Sequence, residues 1–423
     1  MELKYEPIYR YFTNICLNVT DDCNLACVYC FVQQKPHFMT LETAFKAIDF
    51  IVNNLKQRQI LEEFDKTETA NVSFFGGEPT LMWDKIIKPT VAYAEQNYPG
   101  LINFNITTNG TLLDEERIQY LGEHNIPILL SMDGGEKVQN LNRPCKNGNN
   151  SFPLVEKNIS SILKTFPNTT FRATINQDTC DTLFDTFLFA TSKGFTNIFM
   201  CPNCREEWSE TNIDILRKEV NKIFTYFVFS FLNGEMPIYC TPIASAFIHI
   251  LNHDVQVVNQ DFANLEIQRQ VSRCGLGSGS ASISYDGKIF GCQEQDSRDT
   301  NDYFYIGNIF DGIDKEKHSQ ILSDYHKLAK VVSEDKTLCD TCPIRTACSE
   351  DICPSVTHDM FGDFFIRPKI DCYWNMFLVN GAIASMKILV DGDNNQLFKQ
   401  YLDEICLMEE DICDGDVDCL PSM

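Results

Sequence analysis

Apolar residues between positions 14 and 202 fall into two alternating patterns. Short runs rich in Ile, Val, Thr and Phe read as buried strands: "NICLNVT" (14–20), "NVSFF" (71–75), "NFNITT" (103–108), "IPILLSM" (126–132), "TFRATIN" (170–176) and "TNIFMCP" (196–202). Between the first two, Leu41, Ala44, Ile48, Ile51, Val52 and Leu55 recur at helical spacing, with Thr40 placed to cap the helix. Similar helical stretches fall near 81–97, 113–124, 153–165, 180–193 and 210–232. Strands alternating with helices predict an α/β fold, a parallel sheet with helices outside, either open or rolled into a partial (β/α)6 barrel of the TIM type. Polar, Gly-rich or Cys-bearing segments follow the strands directly: "DDCNLACVYC", "GGEPT" (76–80), "NG" (109–110), "DGG" (133–135) and "CPNC" (201–204). Because the C-terminal ends of parallel strands share one face, these segments are expected to converge on a single site, which favours the partial barrel.

Composition narrows the partners. The chain has 423 residues and a net charge of −24, which would repel nucleic acid. The N-terminal stretch lacks a signal-peptide core, and the apolar runs are too short to span a bilayer, so a cytoplasmic protein without a membrane is expected. Nineteen cysteines in a reducing compartment then point to metal chemistry rather than disulfides. Cys16, Cys145 and Cys180 stand alone and read as small buried hydrophobes.

Cys23, Cys27 and Cys30 are spaced C-x3-C-x2-C. Read alone, three ligands suit a structural zinc completed by a histidine such as His37. They also suit a [4Fe–4S] cluster whose remaining iron lacks a protein ligand and can bind a small molecule. The triplet after a first strand, with Tyr29 before its last cysteine and Gly76-Gly77-Glu78-Pro79 after the second strand, resembles the radical S-adenosylmethionine (SAM) superfamily. The resemblance implies that Cys23, Cys27 and Cys30 hold a cluster whose open iron is chelated by the amine and carboxylate of SAM. Reductive cleavage of SAM would then give a 5′-deoxyadenosyl radical that abstracts hydrogen from substrate. Gly76 and Gly77 would let backbone approach the ligand, and Glu78 would meet the SAM ammonium. Thr108 and Asn109 would add polar contacts, Ser131 and Asp133 would lie at the ribose, and Arg143 would meet the SAM carboxylate.

The second half carries another ordered set of cysteines. Cys274 and Cys292 flank "SISYDGKIF", a predicted hairpin turning at Asp286-Gly287, and Cys339, Cys342, Cys348, Cys353 and Cys372 follow. This pattern resembles the SPASM domain of radical SAM peptide maturases, with one residue more between Cys348 and Cys353 than the family has. Carried over, Cys339, Cys342, Cys348 and Cys372 hold a distal auxiliary [4Fe–4S] cluster, and Cys274, Cys292 and Cys353 a proximal one, giving three clusters in all. The family takes the proximal cluster's fourth ligand from near its first cysteine. The nearest cysteine upstream here is Cys240, so an open iron is expected there. Taken alone, Cys339, Cys342, Cys348 and Cys353 also fit a zinc site.

The expected organisation is a radical SAM core over 1–235, a bridging segment over 236–272, a SPASM domain over 273–375, and a C-terminal helix with an acidic, Cys-bearing tail over 376–423. An open auxiliary iron suits a substrate thiolate. The resemblance therefore points to thioether-forming maturases of ribosomally made precursor peptides, ranthipeptide-type enzymes above all, fed by a flavodoxin or ferredoxin. Cys23 lies too near the start of the chain for an N-terminal peptide-binding unit, so leader recognition would use another surface or a separate protein. The rival within the family is the anaerobic sulfatase-maturing enzyme, whose acidic base after the second SPASM cysteine is replaced here by Gln293, with Glu294 next. A maturase of another protein-derived cofactor is a third possibility. Outside the enzymes stands an iron–sulfur scaffold or electron carrier. The tail from Tyr401 shows no apolar period and reads as a solvated acidic segment; Cys406, Cys413 and Cys419 with nearby carboxylates suggest a pseudosubstrate or a spare cluster ligand.

Overall fold

The computed structural model describes residues 12–60, 68–252, 276–277, 279–296, 302–325, 331–345, 353–390 and 395–414, the last helix with side chains as far as 407. The first half alternates as predicted. Strands β1 (Asn14–Asn18), β2 (Ala70–Phe75), β3 (Ile102–Thr108), β4 (Ile128–Ser131), β5 (Thr170–Ile175) and β6 (Asn197–Pro202) are separated by helices α1 (Leu41–Ile60), α2 (Lys88–Asn97), α3 (Glu115–Glu123), α4 (Glu136–Asn142), α5 (Phe152–Glu156), α6 (Ile159–Thr165) and α7 (Leu183–Lys193). Thr40 caps α1 as expected, its Oγ1 accepting from the Thr43 amide at 3.1 Å. Every residue of β2 is buried, as a strand covered on both faces requires.

Helix α8 (Glu210–Leu232), strand β7 (Tyr239–Cys240) and helix α9 (Thr241–Asn252) follow. The predicted hairpin is present as β8 (Ser280–Ile283) and β9 (Lys288–Phe290), turning at Gly287 with φ +83°. Beyond it come β10 (Tyr305–Asn308), β11 (Gly312–Ile313), α10 (Lys315–Tyr325), β12 (Val332–Ser333), α11 (Lys336–Thr341), α12 (Pro354–Phe361), β13 (Ile366–Arg367), α13 (Lys369–Leu389) and α14 (Asn395–Asp414).

Strands β1 to β7 are consecutive parallel neighbours. The sheet does not close on itself, because β1 takes β8 rather than β6 or β7 as its other neighbour. The hairpin thereby extends the main sheet, which runs unbroken from β11 to β7. No helix among the described residues is long and apolar enough to cross a membrane.

The tail corrects the sequence reading. Residues 395–414 are helical, and Phe398, Tyr401, Leu402 and Ile405 are buried. Phe398 and Tyr401 pack edge-on against Phe231 and Phe247. Cys406, half-buried, belongs to this packed helix rather than to a solvated strand of tail; residues 415–423 lie outside the described residues.

Candidate active site

The loop after β1 is held shut by its own side chains. Thr20 Oγ1 donates to the His37 carbonyl at 2.7 Å, and Asn18 Nδ2 donates to Asp21 Oδ1 at 2.9 Å. His37 pairs with Asp21 at 2.9 Å and stacks on Tyr285 with ring centroids 4.3 Å apart. It is therefore engaged outside the cleft that the three thiols line, which removes it as their partner on a zinc ion. Residues 142–146 back the cysteine loop through backbone bonds from Ala26 to Pro144 (2.8 Å), Val28 to Asn142 (3.0 Å) and Lys146 to Asn24 (3.0 Å). Cys145 packs there beside Cys23 and Leu25. Cys16, Cys145 and Cys180 are buried, as expected of lone cysteines.

The Gly-Gly-Glu-Pro turn seats itself on this loop. The Gly77 amide donates to the Thr20 carbonyl at 2.7 Å and the Glu78 amide to the Asp22 carbonyl at 2.9 Å. A Cβ on Gly76 would lie 2.3 Å from the Thr20 carbonyl oxygen, and one on Gly77 2.2 Å from that of Asp22. The glycines thus allow backbone to meet backbone, a different close approach from the one to a ligand that the sequence suggests. Glu78 is buried and ties the turn to the end of β3. Its Oε1 accepts from the Thr80 amide (3.1 Å), the Thr80 hydroxyl and the Thr108 hydroxyl (2.7 Å), and its Oε2 accepts from the Asn109 amide at 2.8 Å. Burial raises its carboxyl above the usual range, and the four donors pull the other way. Asn109 reaches back to the loop, its Nδ2 being 3.8 Å from Cys23 Sγ and 3.0 Å from Asn24 Oδ1.

A cleft of about 1060 Å³ opens over these elements. Cys23, Cys27 and Cys30 line it together with Tyr29, Gly76, Gly77, Glu78, Thr108, Asn109, Ser131 and Arg143. Of the predicted SAM contacts, Pro79 and Asp133 do not line it. Pro79 starts the 3₁₀ turn that Glu78 caps. Asp133 is buried behind the wall, paired with Arg143 Nε at 3.0 Å and accepting from the Tyr29 hydroxyl at 2.6 Å, while the Arg143 guanidinium lies 5.3 Å from the Tyr29 ring centroid. Arg143 is therefore already neutralised by protein. Burial raises the Cys23 thiol strongly and pushes Cys27 up to about 12.

Arg172, Thr174, Cys201, Cys204, Arg205 and Glu294 also line the cleft; the sequence brings the segment 201–204 there without assigning Cys201 and Cys204 a role, and does not single out Arg172, Thr174 or Arg205. The signal for two of them was available. Alternation along "TFRATIN" sets Arg172 and Thr174 on one face of β5, and that face meets the cleft. Arg172 Nε is buried there without a hydrogen-bond partner. Gln293, which stands where the sulfatase-maturing family has its acidic base, is turned away, its Oε1 accepting from Cys16 Sγ at 3.1 Å.

Of the proposed auxiliary ligands, Cys274 and Cys348 lie outside the described residues. Cys292, Cys342 and Cys372 are half-buried, and Cys353 is buried as the residue preceding α12. Cys339 Sγ accepts from the Ser333 amide at 3.2 Å. No trio of Cys, His, Asp or Glu among the described residues is gathered closely enough to hold a single metal ion. The donor set at the cleft instead suits a cluster, whose separate irons each take one soft thiolate. Three thiols share the cleft with a buried arginine Nε that no protein acceptor meets.

Residues 17–190 match the family model of the radical SAM superfamily, and this span is a radical SAM domain. The chain is 22% identical over 386 residues to the radical SAM cyclopropyl synthase TigE of Paramaledivibacter caminithermalis, covering 88% of this chain and 74% of that protein. It is 27% identical over 226 residues to a cysteine-type anaerobic sulfatase-maturating enzyme of Clostridium perfringens, covering 50% of this chain and 59% of that one. A solved structure described as native anSMEcpe with bound AdoMet and Cp18Cys peptide superposes with a TM-score of 0.65 at 20% identity, over 92% of this chain and 99% of that chain. The chain thus carries a radical SAM domain over residues 17–190 and is similar to radical SAM maturases, sulfatase-maturating enzymes among them.

Proposed function

We propose that the protein is a maturase of a ribosomally made peptide, and that its finer chemistry is thioether formation between a peptide cysteine and a carbon of another residue. The observation that carries this reading is the single cleft. It joins the three thiols of the loop after β1, the Gly-Gly-Glu turn, and Glu294 from the segment that follows Cys292. The peptide named in the similar solved complex supports a peptide substrate.

Cys23, Cys27 and Cys30 would hold a [4Fe–4S] cluster, which with bound SAM supplies a 5′-deoxyadenosyl radical for hydrogen abstraction. Glu78 Oε1 is saturated by three protein donors, whereas Oε2 takes one and has room for the SAM ammonium. Arg172, with its buried Nε lacking an acceptor, replaces Arg143 as the cation for the SAM carboxylate. Thr108, Asn109 and Ser131 remain the polar contacts for the nucleoside. Electrons would enter from a flavodoxin- or ferredoxin-type donor and leave through the auxiliary cysteines of 274–372.

Glu294 favours a second reading. Unlike Gln293 it faces the cleft, where it stands as a candidate base for oxidising a Cys or Ser side chain, as in sulfatase maturation. Its pairing with Arg205 at 2.8 Å opposes that use by engaging the carboxylate. Anaerobic turnover of a Cys-containing precursor, followed by mass spectrometry, separates the two. Thioether formation gives a product that has lost hydrogen and its alkylatable thiol, with no hydrazide-reactive carbonyl. A hydrazide-reactive aldehyde on a sulfatase peptide gives the second reading, and an unmodified peptide with continued SAM cleavage contradicts both.

A further inference from the structure

A second cavity, of about 680 Å³, lies where α9 and α13 pack against β6. Its size falls in the range of about 300–1,000 Å³ usual for small-molecule sites. Each wall follows from the spacing of its element. On α9, Thr241, Ser245 and His249 recur every four residues and set a half-exposed polar stripe along one side. On α13, Trp374 and Leu378 recur at the same spacing and are buried, which makes the facing side apolar. Strand β6 supplies Phe199 and Cys201, two residues apart and so on one face of the strand. That face also joins the cavity to the cleft of the three thiols. Cys201 lines both, and Arg172, which lines the cleft, places its guanidinium 5.5 Å from the ring centroid of Phe199, which lines the cavity. Among the described residues, no Asp, Glu, Lys or Arg lines the cavity.

We infer that this cavity is a side pocket of the cleft that receives an uncharged aromatic group of the substrate, a phenol above all. The class of group follows from the walls. A charged group would lose its hydration there without an opposite charge to replace it. The rings of Phe199 and Trp374 suit an aromatic occupant, and the hydroxyls of Thr241 and Ser245 suit one with a polar end. The inference rests on the peptide reading only in naming the carrier: on a peptide, the group is a tyrosine side chain. Because Cys201 is common to both voids, a tyrosine held in the cavity leaves the adjoining residues of its peptide at the cleft. Selection of the substrate would thus be made by β6, α9 and α13, apart from the loops that surround the three thiols.

The test uses the full chain, reconstituted anaerobically, and the free side-chain analogue p-cresol, with binding read by calorimetry. One molecule per chain is expected. It should bind about five-fold more tightly than toluene, which has the ring without the hydroxyl. It should bind about ten-fold or more tightly than p-toluate, which carries a charge. Ser245→Trp fills the cavity from its half-exposed side and should weaken p-cresol by about ten-fold or more, whereas Asn380→Trp, at an exposed position of α13, should leave it unchanged. N-acetyltyrosinamide should compete with p-cresol, and saturating p-cresol should leave the Kd for SAM unchanged. Absence of p-cresol binding, equal binding of p-toluate, or undiminished binding by a folded Ser245→Trp protein overturns the inference. So does displacement of SAM, which would put the ring in the main cleft, or a failure of N-acetyltyrosinamide to compete, which would close the cavity to a substrate. If Ser245→Trp fails to fold, Thr241→Trp takes its place with the same two outcomes. None of these measurements requires turnover. Binding of p-cresol by a protein that modifies no peptide therefore removes the proposed function and keeps the pocket, and modification of peptides by a protein that does not bind p-cresol removes the pocket alone.

Discussion

Replacing Gly77 by Ala adds a single methyl group at the point where the glutamate-bearing turn rests on the cysteine loop. The new Cβ would stand 2.2 Å from the Asp22 carbonyl oxygen, 2.6 Å from its carbon and 2.8 Å from the Asp21 carbonyl oxygen. Ordinary contact begins at 3.4 Å, so the two backbones must separate by about 1 Å, and no flexible side chain is present to absorb it. The backbone bonds Gly77–Thr20 and Glu78–Asp22, at 2.7 and 2.9 Å, would lengthen together. Overpacking of this kind costs about 1–3 kcal/mol. Displacement of reacting groups by about 1 Å lowers a rate by about 100-fold. Because Cys23 directly follows Asp22, the account expects a folded protein with a modest loss of stability and a loss of SAM cleavage of about 100-fold. The assay is thermal melting alongside 5′-deoxyadenosine formation measured by chromatography. Gly279→Ala is the control, since a Cβ there meets nothing within 4 Å. A Gly77→Ala protein with full SAM cleavage and unchanged melting would refute the reasoning.

Other outcomes follow from the same structure. Asp296 is buried beside Asn18 and Ser282, and burial, reinforced by the Asp21 and Asp286 charges, pushes its pKa up to about 8. The folded state therefore keeps a proton that the unfolded chain releases near 3.8, so stability falls as pH rises between those values, and Asp296→Asn should flatten that slope in melts run across the range. Phe398→Ala should lower stability by about 3–5 kcal/mol in chemical denaturation, because α14 inserts that ring among Phe231 and Phe247; a loss under about 1 kcal/mol would return the C-terminal segment to the solvated tail read from sequence. Arg172→Ala should raise the Kd for SAM in calorimetry while Arg172→Lys restores part of it, and equal binding by both variants and the parent would remove Arg172 from the site.

Much of the strand order was legible because a strand buried on both faces, as β2 is, needs an apolar run, and a half-buried one, as β5 is, alternates. The convergence of the three-cysteine loop with the Gly-Gly-Glu turn was legible too, since each directly follows a parallel strand. What stayed hidden depends on which distant residue arrives. Nothing in "GGEPT" says that its glycines are pressed against Thr20 and Asp22. Nor does "NRP" say that Arg143 is consumed by Asp133 and Tyr29. Arg172 was masked by sitting inside a strand rather than after one. In the tail, Tyr401, Leu402 and Ile405 hold a helical apolar stripe that the surrounding carboxylates obscured.

The central claim is that Cys23, Cys27 and Cys30 support reductive cleavage of SAM in the cleft they line. Anaerobically reconstituted protein, mixed with SAM and dithionite, should yield 5′-deoxyadenosine and methionine. Changing the three cysteines to Ala should abolish both products and remove about four iron atoms per chain. Undiminished 5′-deoxyadenosine from the triple variant, or none from the intact protein with its iron in place, would contradict the account.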